Sequence, residues 1–410
     1  MTTRPPFDST VALLREGYPF VSSRCDALGT DLFTSRLALR RVTFVRGEEA
    51  AGLFYSGDRF TRERAMPPTV QHLLQDAGSV QALDGDAHRR RKAAFLSLMG
   101  PAAMRRLGDL FEEEWHAAEQ GVRPGGQVLL LDLVREVLTR TVCRWSDIPL
   151  GEADVPRLTR ELGLMIDRAG RFGPTNWYAL LRRRGTERWA ADLLGRVRSG
   201  ELTPAEGTAL HVLAHHRDDG GDLLAPEVAA VELINVLRPT LAVARFVAFA
   251  AVALERHPEW RRTFANGHVE DLEAFVQEVR RFFPFFPAVP GRVREPFDWR
   301  GHHFARGDWV VLDLYGTCHD PRLFADPESF RPERFRGWSW QEEPNALIAQ
   351  GAGDHAEDHR CPGEWSTVEL LTRAVRLLAG SDLDLPAQDL TVPLDRFPTA
   401  PRSGVVVSRR

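Results

Sequence analysis

The run "PEVAAVELINVLRPTLAVARFVAFAAVALERH", Pro226 to His257, constrains this chain more than any other stretch. It opens on a proline, a residue favoured in the first turn of a helix, and Pro258 stops it. About thirty residues at ~1.5 Å each span roughly 45 Å, enough to cross a whole domain. Glu232, Arg238 and Arg245 make it a poor membrane span, and apolar residues occupy most of its sides. Such a helix belongs in a core, so the rest of the chain has to wrap around it. Two of its residues do not suit that place. Arg238 carries a charge that is costly to bury without an anion. Pro239 removes a helical hydrogen bond and opens a kink that aims its neighbour inward.

The flanking sequence predicts a mainly α protein with a minor β part. "AMRRLGDLFEEEWHAAEQ", "EVLTRTVCRWSDI" and "AEGTALHVLAHHR" (Ala205 to Arg217) repeat apolar residues at three- and four-residue spacing. Alternating runs such as "RRVTFVRG" and "DWVVLDLYG" place small β regions near residues 30–60 and 285–315. With no repeat or low-complexity linker, 410 residues allow one large domain or two ordinary ones. A net charge of -4 gives no global basic surface for nucleic acid. The four cysteines are widely spaced without a CxxC pair, against a disulfide scaffold or zinc knuckle and in keeping with a reducing compartment. The first twenty residues hold no long apolar run, so a cytoplasmic chain without membrane anchor is expected.

The second unusual stretch is "AQGAGDHAEDHRCPGEW", Ala349 to Trp365. Cys361 follows His359 and Arg360 and precedes a predicted helix, and cations or a helix N-terminus lower a thiol pKa toward the thiolate. Gly351, Gly353 and Gly363 would let the backbone pass close to a flat cofactor. Upstream, Glu278 and Arg281 of "EVRR" stand three apart on a helix whose following run, "FFPFFP", is apolar. A buried pair there needs further partners, and Arg334 of "FRPERF" is available.

The E-x-x-R helix, the P-E-R-F segment and the Cys-Pro-Gly loop, in this order and spacing, resemble the cytochrome P-450 superfamily. The resemblance implies a single haem-thiolate domain over residues 1–410, with haem buried between a long distal helix and a proximal Cys loop. It gives Cys361 as thiolate ligand of the iron of haem b (iron protoporphyrin IX) and Glu278, Arg281 and Arg334 as the structural triad beneath. His88 and Lys92, one helical turn apart, with Arg62 and His359, become candidates for the haem propionates. Lys92 is the only lysine in the chain. Two departures stand out. The Phe that usually lies seven residues before the cysteine is Asp354, and Asp358 fills a position commonly glycine in the closest branch.

That branch is the bacterial fatty-acid peroxygenases, which the chain resembles over nearly its whole length. The likeness includes "LLREGYPF", "GEEAAGLFY", "DRFTRERAMP", "DGDAHRRRKAAFLSLM", "LINVLRP", "FVQEVRRFFPF", "VLDLYGTCHDPRLF" and "HRCPGEW". Most of the superfamily carries an acid-alcohol pair on the distal helix; here Thr240 is kept, but Pro239 stands in the position of the acid. The resemblance implies that Arg238 anchors a fatty-acid carboxylate, which itself handles the protons of hydrogen peroxide. Hydroxylation at the α or β carbon follows, with no obligatory redox partner. Gln81 aligns beside the reactive carbon, where some members have His and decarboxylate fatty acids to alkenes. A neutral amide favours hydroxylation. Phe285 and Phe286 are candidates to line an acyl channel. The alternatives are a peroxide-driven decarboxylase, a redox-partner-dependent monooxygenase and a non-catalytic haem sensor.

Overall fold

The computed structural model describes residues 7–76 and 78–410. The central helix runs from Pro226 to Arg256, and nearly every side chain between Ala229 and Leu254 is buried. It continues through Pro239 without a break. Its neighbours are the helices Leu130–Trp145, Val155–Asp167, Pro174–Arg198 and Glu364–Gly380. The apolar composition therefore reflects packing against helices on all sides, which is why the stretch shows no polar face. Arg245, about two turns beyond Arg238, pairs at 3.1 Å with Asp167, which it shares with Arg135 at 2.6 Å.

The helical expectations hold for "AMRRLGDLFEEEWHAAEQ", inside Pro101–Gly121, and for most of "EVLTRTVCRWSDI", inside Leu130–Trp145. The Ala205–Arg217 stretch is helical only over Ala209–His215. Gly207 adopts φ 78°, which breaks the first turn, and the Thr208 hydroxyl donates back to the Ala205 carbonyl at 2.7 Å.

The strands of the N-terminal region and those between residues 288 and 313 form one sheet. Its strands are β1 (Leu32–Leu37), β2 (Arg40–Val45), β3 (Phe60–Thr61), β4 (Ala288–Val293) and β5 (Trp309–Asp313). Their spatial order is β1-β2-β5-β4-β3, with β2 and β5 parallel and the other pairs antiparallel. β1 and β2 join through Ala38 and Leu39, both at positive φ (48° and 64°), the backbone of a tight two-residue hairpin. Pairing of Thr43 with Val310 and of Phe60 with Val293 ties the N-terminal segment to the region just after the E-x-x-R helix. A second small sheet, from Gln127–Leu129, Leu383–Asp384 and Val406–Arg409, escaped the sequence reading. Strands of two to four residues carry too little alternation to register as a period.

Candidate active site

Cys361 sits between the Gly-rich loop and the helix Glu364–Gly380. Its amide donates to the Gln350 carbonyl at 2.9 Å, and its carbonyl accepts from the Glu364 amide at 3.3 Å. Burial raises the thiol pKa, opposed by the Gly363 amide, Lys92 and Arg280. The thiol thus needs a Lewis acid or those cations to become a thiolate, and it has both a helix N-terminus and fixed positive charges beside it. The loop glycines differ in purpose. A Cβ on Gly363 would lie 3.8 Å from Cys361 Sγ, so this glycine does face the sulfur. On Gly351, at φ 103°, a Cβ would meet the Tyr55 hydroxyl at 3.0 Å and Arg360 Cα at 3.1 Å. Gly351 serves the loop's own close packing.

Asp354 explains its departure from the usual Phe. Its Oδ1 accepts from the amides of Ala356 and Glu357 at 2.7 and 2.9 Å, and its own amide donates to Asp358 Oδ2 at 2.8 Å. Two aspartates thereby fold the loop by reciprocal hydrogen bonds where a packed aromatic would otherwise hold it. Lys92 reaches the same loop, its ammonium donating to the carbonyls of Asp358 and, at 2.9 Å, of Arg360.

Behind the loop lie two buried ion networks that start on adjacent residues. Arg281 donates to both oxygens of Glu278, at 2.7 and 2.8 Å, and Arg334 approaches the same carboxylate at 3.2 Å. The three residues of the sequence-derived triad are thus together. Arg280 points roughly 100° away around the helix. It pairs with Glu364, which Arg360 also holds at 2.6 Å, while Gln350 accepts from Arg280 at 3.1 Å and donates to Thr367 at 3.0 Å. This second network was missed. Its sequence signal was present: Gln277 and Arg280 repeat the three-residue spacing of Glu278 and Arg281.

Burial alone would raise the Glu364 carboxyl, but Arg280 and Arg360 hold it at about 2. Its folded pKa lies below the ordinary 4.5, so its stabilisation is complete above that value and lost as pH falls from 4.5 toward 2. Glu364→Gln is expected to cost about 3–5 kcal/mol at pH 7, because two buried guanidinium groups lose their counter-charge. Thermal melts should show the deficit shrinking at acid pH. Equal melting temperatures at neutral pH would contradict this assignment.

The other proposed cofactor contacts gather on one side of the loop. The rings of His88 and His359 stack at 3.9 Å, with His359 Nε2 4.0 Å from Asp84. Arg62 lies 4.0 Å from the Phe54 ring centroid. Burial pushes His88 down to about 4, with Lys92 and Arg62 adding to it, and burial pushes Lys92 down to about 8. Two neutral imidazoles and two cations, all desolvated, are a donor set that anionic groups would satisfy. A sulfur ligand on the helix side and this donor set suit an iron porphyrin with two propionates. The residues present fit the group.

On the central helix, Arg238 is buried. Nη1 donates to the Leu73 carbonyl and Nη2 to Asn235 Oδ1, each at 3.0 Å. Both acceptors are neutral, and among the described residues no carboxylate forms an ion pair with it. Burial lowers its pKa to about 9 and Arg183 adds to that, whereas Cys361 acts in the opposite direction. Thr240 donates to the Val236 carbonyl at 2.9 Å, so its hydroxyl bonds within its own helix. Gln81, in the short turn Val80–Ala82, accepts from Asn235 Nδ2 at 3.3 Å. Phe285 stacks on Phe246 of the central helix at 4.1 Å, whereas Phe286 packs in a separate cluster with the sheet.

The family model for cytochrome P-450 matches residues 266–365, the interval that holds Glu278, Arg281, Arg334 and Cys361. Among curated proteins, rhazimal synthase of Alstonia scholaris is 30% identical over 192 residues, 41% of this chain. The chain spans only 37% of that relative's length. Solved structures match end to end. Cytochrome P450SP alpha in complex with (R)-ibuprophen is 43% identical, with a TM-score of 0.94 and 98% of each chain covered. Cytochrome P450EX alpha with myristic acid is 38% identical, with a TM-score of 0.94 over 99% of this chain and 98% of the other.

Proposed function

Because the chain belongs to the cytochrome P-450 family, whose members carry haem on a cysteine thiolate, we propose that it hydroxylates fatty acids at the α or β carbon with hydrogen peroxide. One observation carries this reading: a buried guanidinium on the distal helix whose acceptors, among the described residues, are both neutral. A carbonyl and an amide occupy two of its five N–H donors and leave a fork for a carboxylate. The ligands in the two matched structures, myristic acid and (R)-ibuprophen, are both carboxylic acids.

Haem b, held by Cys361 with Arg62, His88, Lys92 and His359 at its propionates, supplies the oxidising chemistry when bound. The chain's own residues do the rest. Arg238 fixes the substrate carboxylate, and that fixes which carbons lie nearest the oxidant, the α and β carbons next to the head group. The same carboxylate accepts a proton from peroxide and returns it to the departing oxygen. Pro239 leaves no acidic side chain to compete with it, and Thr240 is engaged within its helix. Gln81, a neutral amide bonded to Asn235, offers no imidazolium near the substrate, which favours hydroxylation over decarboxylation.

Peroxide as oxidant dispenses with an electron-donor protein. The test is turnover of myristic acid by the haem-loaded enzyme with peroxide, against reductase and NADPH. Hydroxy acid with peroxide alone supports the proposal. Product only with the reductase would make the chain a conventional monooxygenase, alkene a decarboxylase, and no product in either a sensor.

A further inference from the structure

Glu232, Asn235 and Arg238 are spaced three apart, which places them along one face of the central helix. Glu232 is fully buried and holds three donors. Its Oε1 accepts from Arg91 Nη1 at 2.7 Å and from the Val80 amide at 2.8 Å, and its Oε2 accepts from Asn235 Nδ2 at 3.1 Å. A carboxylate can only accept, so it forces the NH2 end of Asn235 toward itself. The second hydrogen of that NH2 goes to Gln81 Oε1 at 3.3 Å. Asn235 Oδ1 is thereby left facing Arg238 Nη2, at 3.0 Å. Were the amide reversed, two sets of N–H donors would oppose each other and the guanidinium would have to turn.

We infer that Glu232 is a positioning residue: through the Asn235 amide its carboxylate sets the orientation of the Arg238 fork and of Gln81. Arg91, on the helix Gly85–Ser97 that also carries His88 and Lys92, neutralises Glu232. The order therefore runs from the helix of the proposed propionate contacts, through one buried ion pair, to the proposed carboxylate anchor. Glu232 itself touches no substrate. The inference rests on the proposed role of Arg238.

The test is the affinity of the haem-loaded protein for myristic acid, read by calorimetric titration, with melting temperature measured alongside. Glu232→Gln lets an amide face Asn235 in either orientation, and Asn235→Ala removes the link while leaving the Glu232–Arg91 pair intact. Each is expected to weaken binding about tenfold or more, and the double variant to bind no worse than Asn235→Ala alone. Glu232→Asp keeps the charge beside Arg91 but draws back from Asn235, so it should show the same loss with its melting temperature near wild type. It also covers the case in which Glu232→Gln does not fold. Affinity within twofold of wild type in Asn235→Ala or Glu232→Asp, or multiplicative losses in the double variant, overturns the inference. Arg238→Ala separates the two levels. If it binds myristic acid as wild type does, the carboxylate-anchor reading fails and this inference with it; if it loses binding while the Glu232 variants do not, only this inference falls.

Discussion

Cys361→Ser is expected to abolish peroxide-driven oxidation and remove the absorption band that marks the carbon-monoxide complex of a thiolate-ligated haem. The other three cysteines are buried, and burial pushes the thiols of Cys25 and Cys143 up to about 12 and Cys318 to about 11. None of them is prepared to become a thiolate. Cys361 alone of the four is half-buried, and against the upward push of burial the Gly363 amide, Lys92 and Arg280 all act to lower its pKa. A serine hydroxyl in the same place has a far higher pKa and is a hard ligand, so those charges would not suffice to generate an equivalent donor. Loop folding should survive, because the loop is held by Asp354, Asp358, Lys92 and Arg360, none of which bonds to the sulfur. Persistence of the thiolate band in the serine variant would show that another residue is the ligand.

The second large effect concerns who supplies the acid-base group. If Arg238 holds a carboxylate for proton transfer, that carboxylate and the oxidised carbon need not belong to one molecule. With peroxide alone, a small aromatic compound lacking a carboxylate should be oxidised poorly. A short carboxylic acid, too short to be oxidised itself, should occupy the Arg238 fork and restore oxidation of the aromatic compound. Arg238→Ala should abolish the rescue. The Leu73 carbonyl and Asn235 Oδ1 left behind are both neutral, and the nearby Arg183 is already paired with Glu187 at 2.6 Å, so the acid loses its cation. The measurement is a titration of the short acid against the rate of aromatic oxidation in both proteins. An absence of acid dependence in wild type, or equal dependence in the two, would sink substrate assistance.

Parts of this molecule were legible because their signals are local. The central helix announced itself by a proline start, a proline stop and an unbroken apolar run. The Glu278–Arg281 pair followed from helical spacing plus the apolar residues after it, and the structure closes it to 2.7 Å. Other parts depend on residues far apart in the chain. Arg280 and Arg281 are adjacent letters of one type; spacing assigns Arg281 to Glu278, but nothing local indicates that Arg280 serves Glu364. The roughly 100° turn between consecutive helix positions divides them between two networks, and only the packed helix Glu364–Gly380 supplies the second partner. Lys92 was singled out as a lone lysine, but its bonds to the carbonyls of Asp358 and Arg360 join residues more than 260 positions apart.

The sequence by itself determined that a long, charged-yet-apolar helix must be buried, that a cysteine follows a glycine-rich loop and precedes a helix, and that an arginine followed by a proline interrupts the middle of the buried helix. These are properties of spacing and residue type within one segment, and hydrophobic burial reads them directly. Tertiary structure alone decided that Arg238 meets neutral acceptors among the described residues, that Glu232 accepts from the amide beside it, and that the two β segments form one sheet through a parallel pairing of β2 with β5. Each of these depends on which groups meet after the chain has paid for long-range loop closure, and a buried polar group's energy is set by its partner, which no local pattern names.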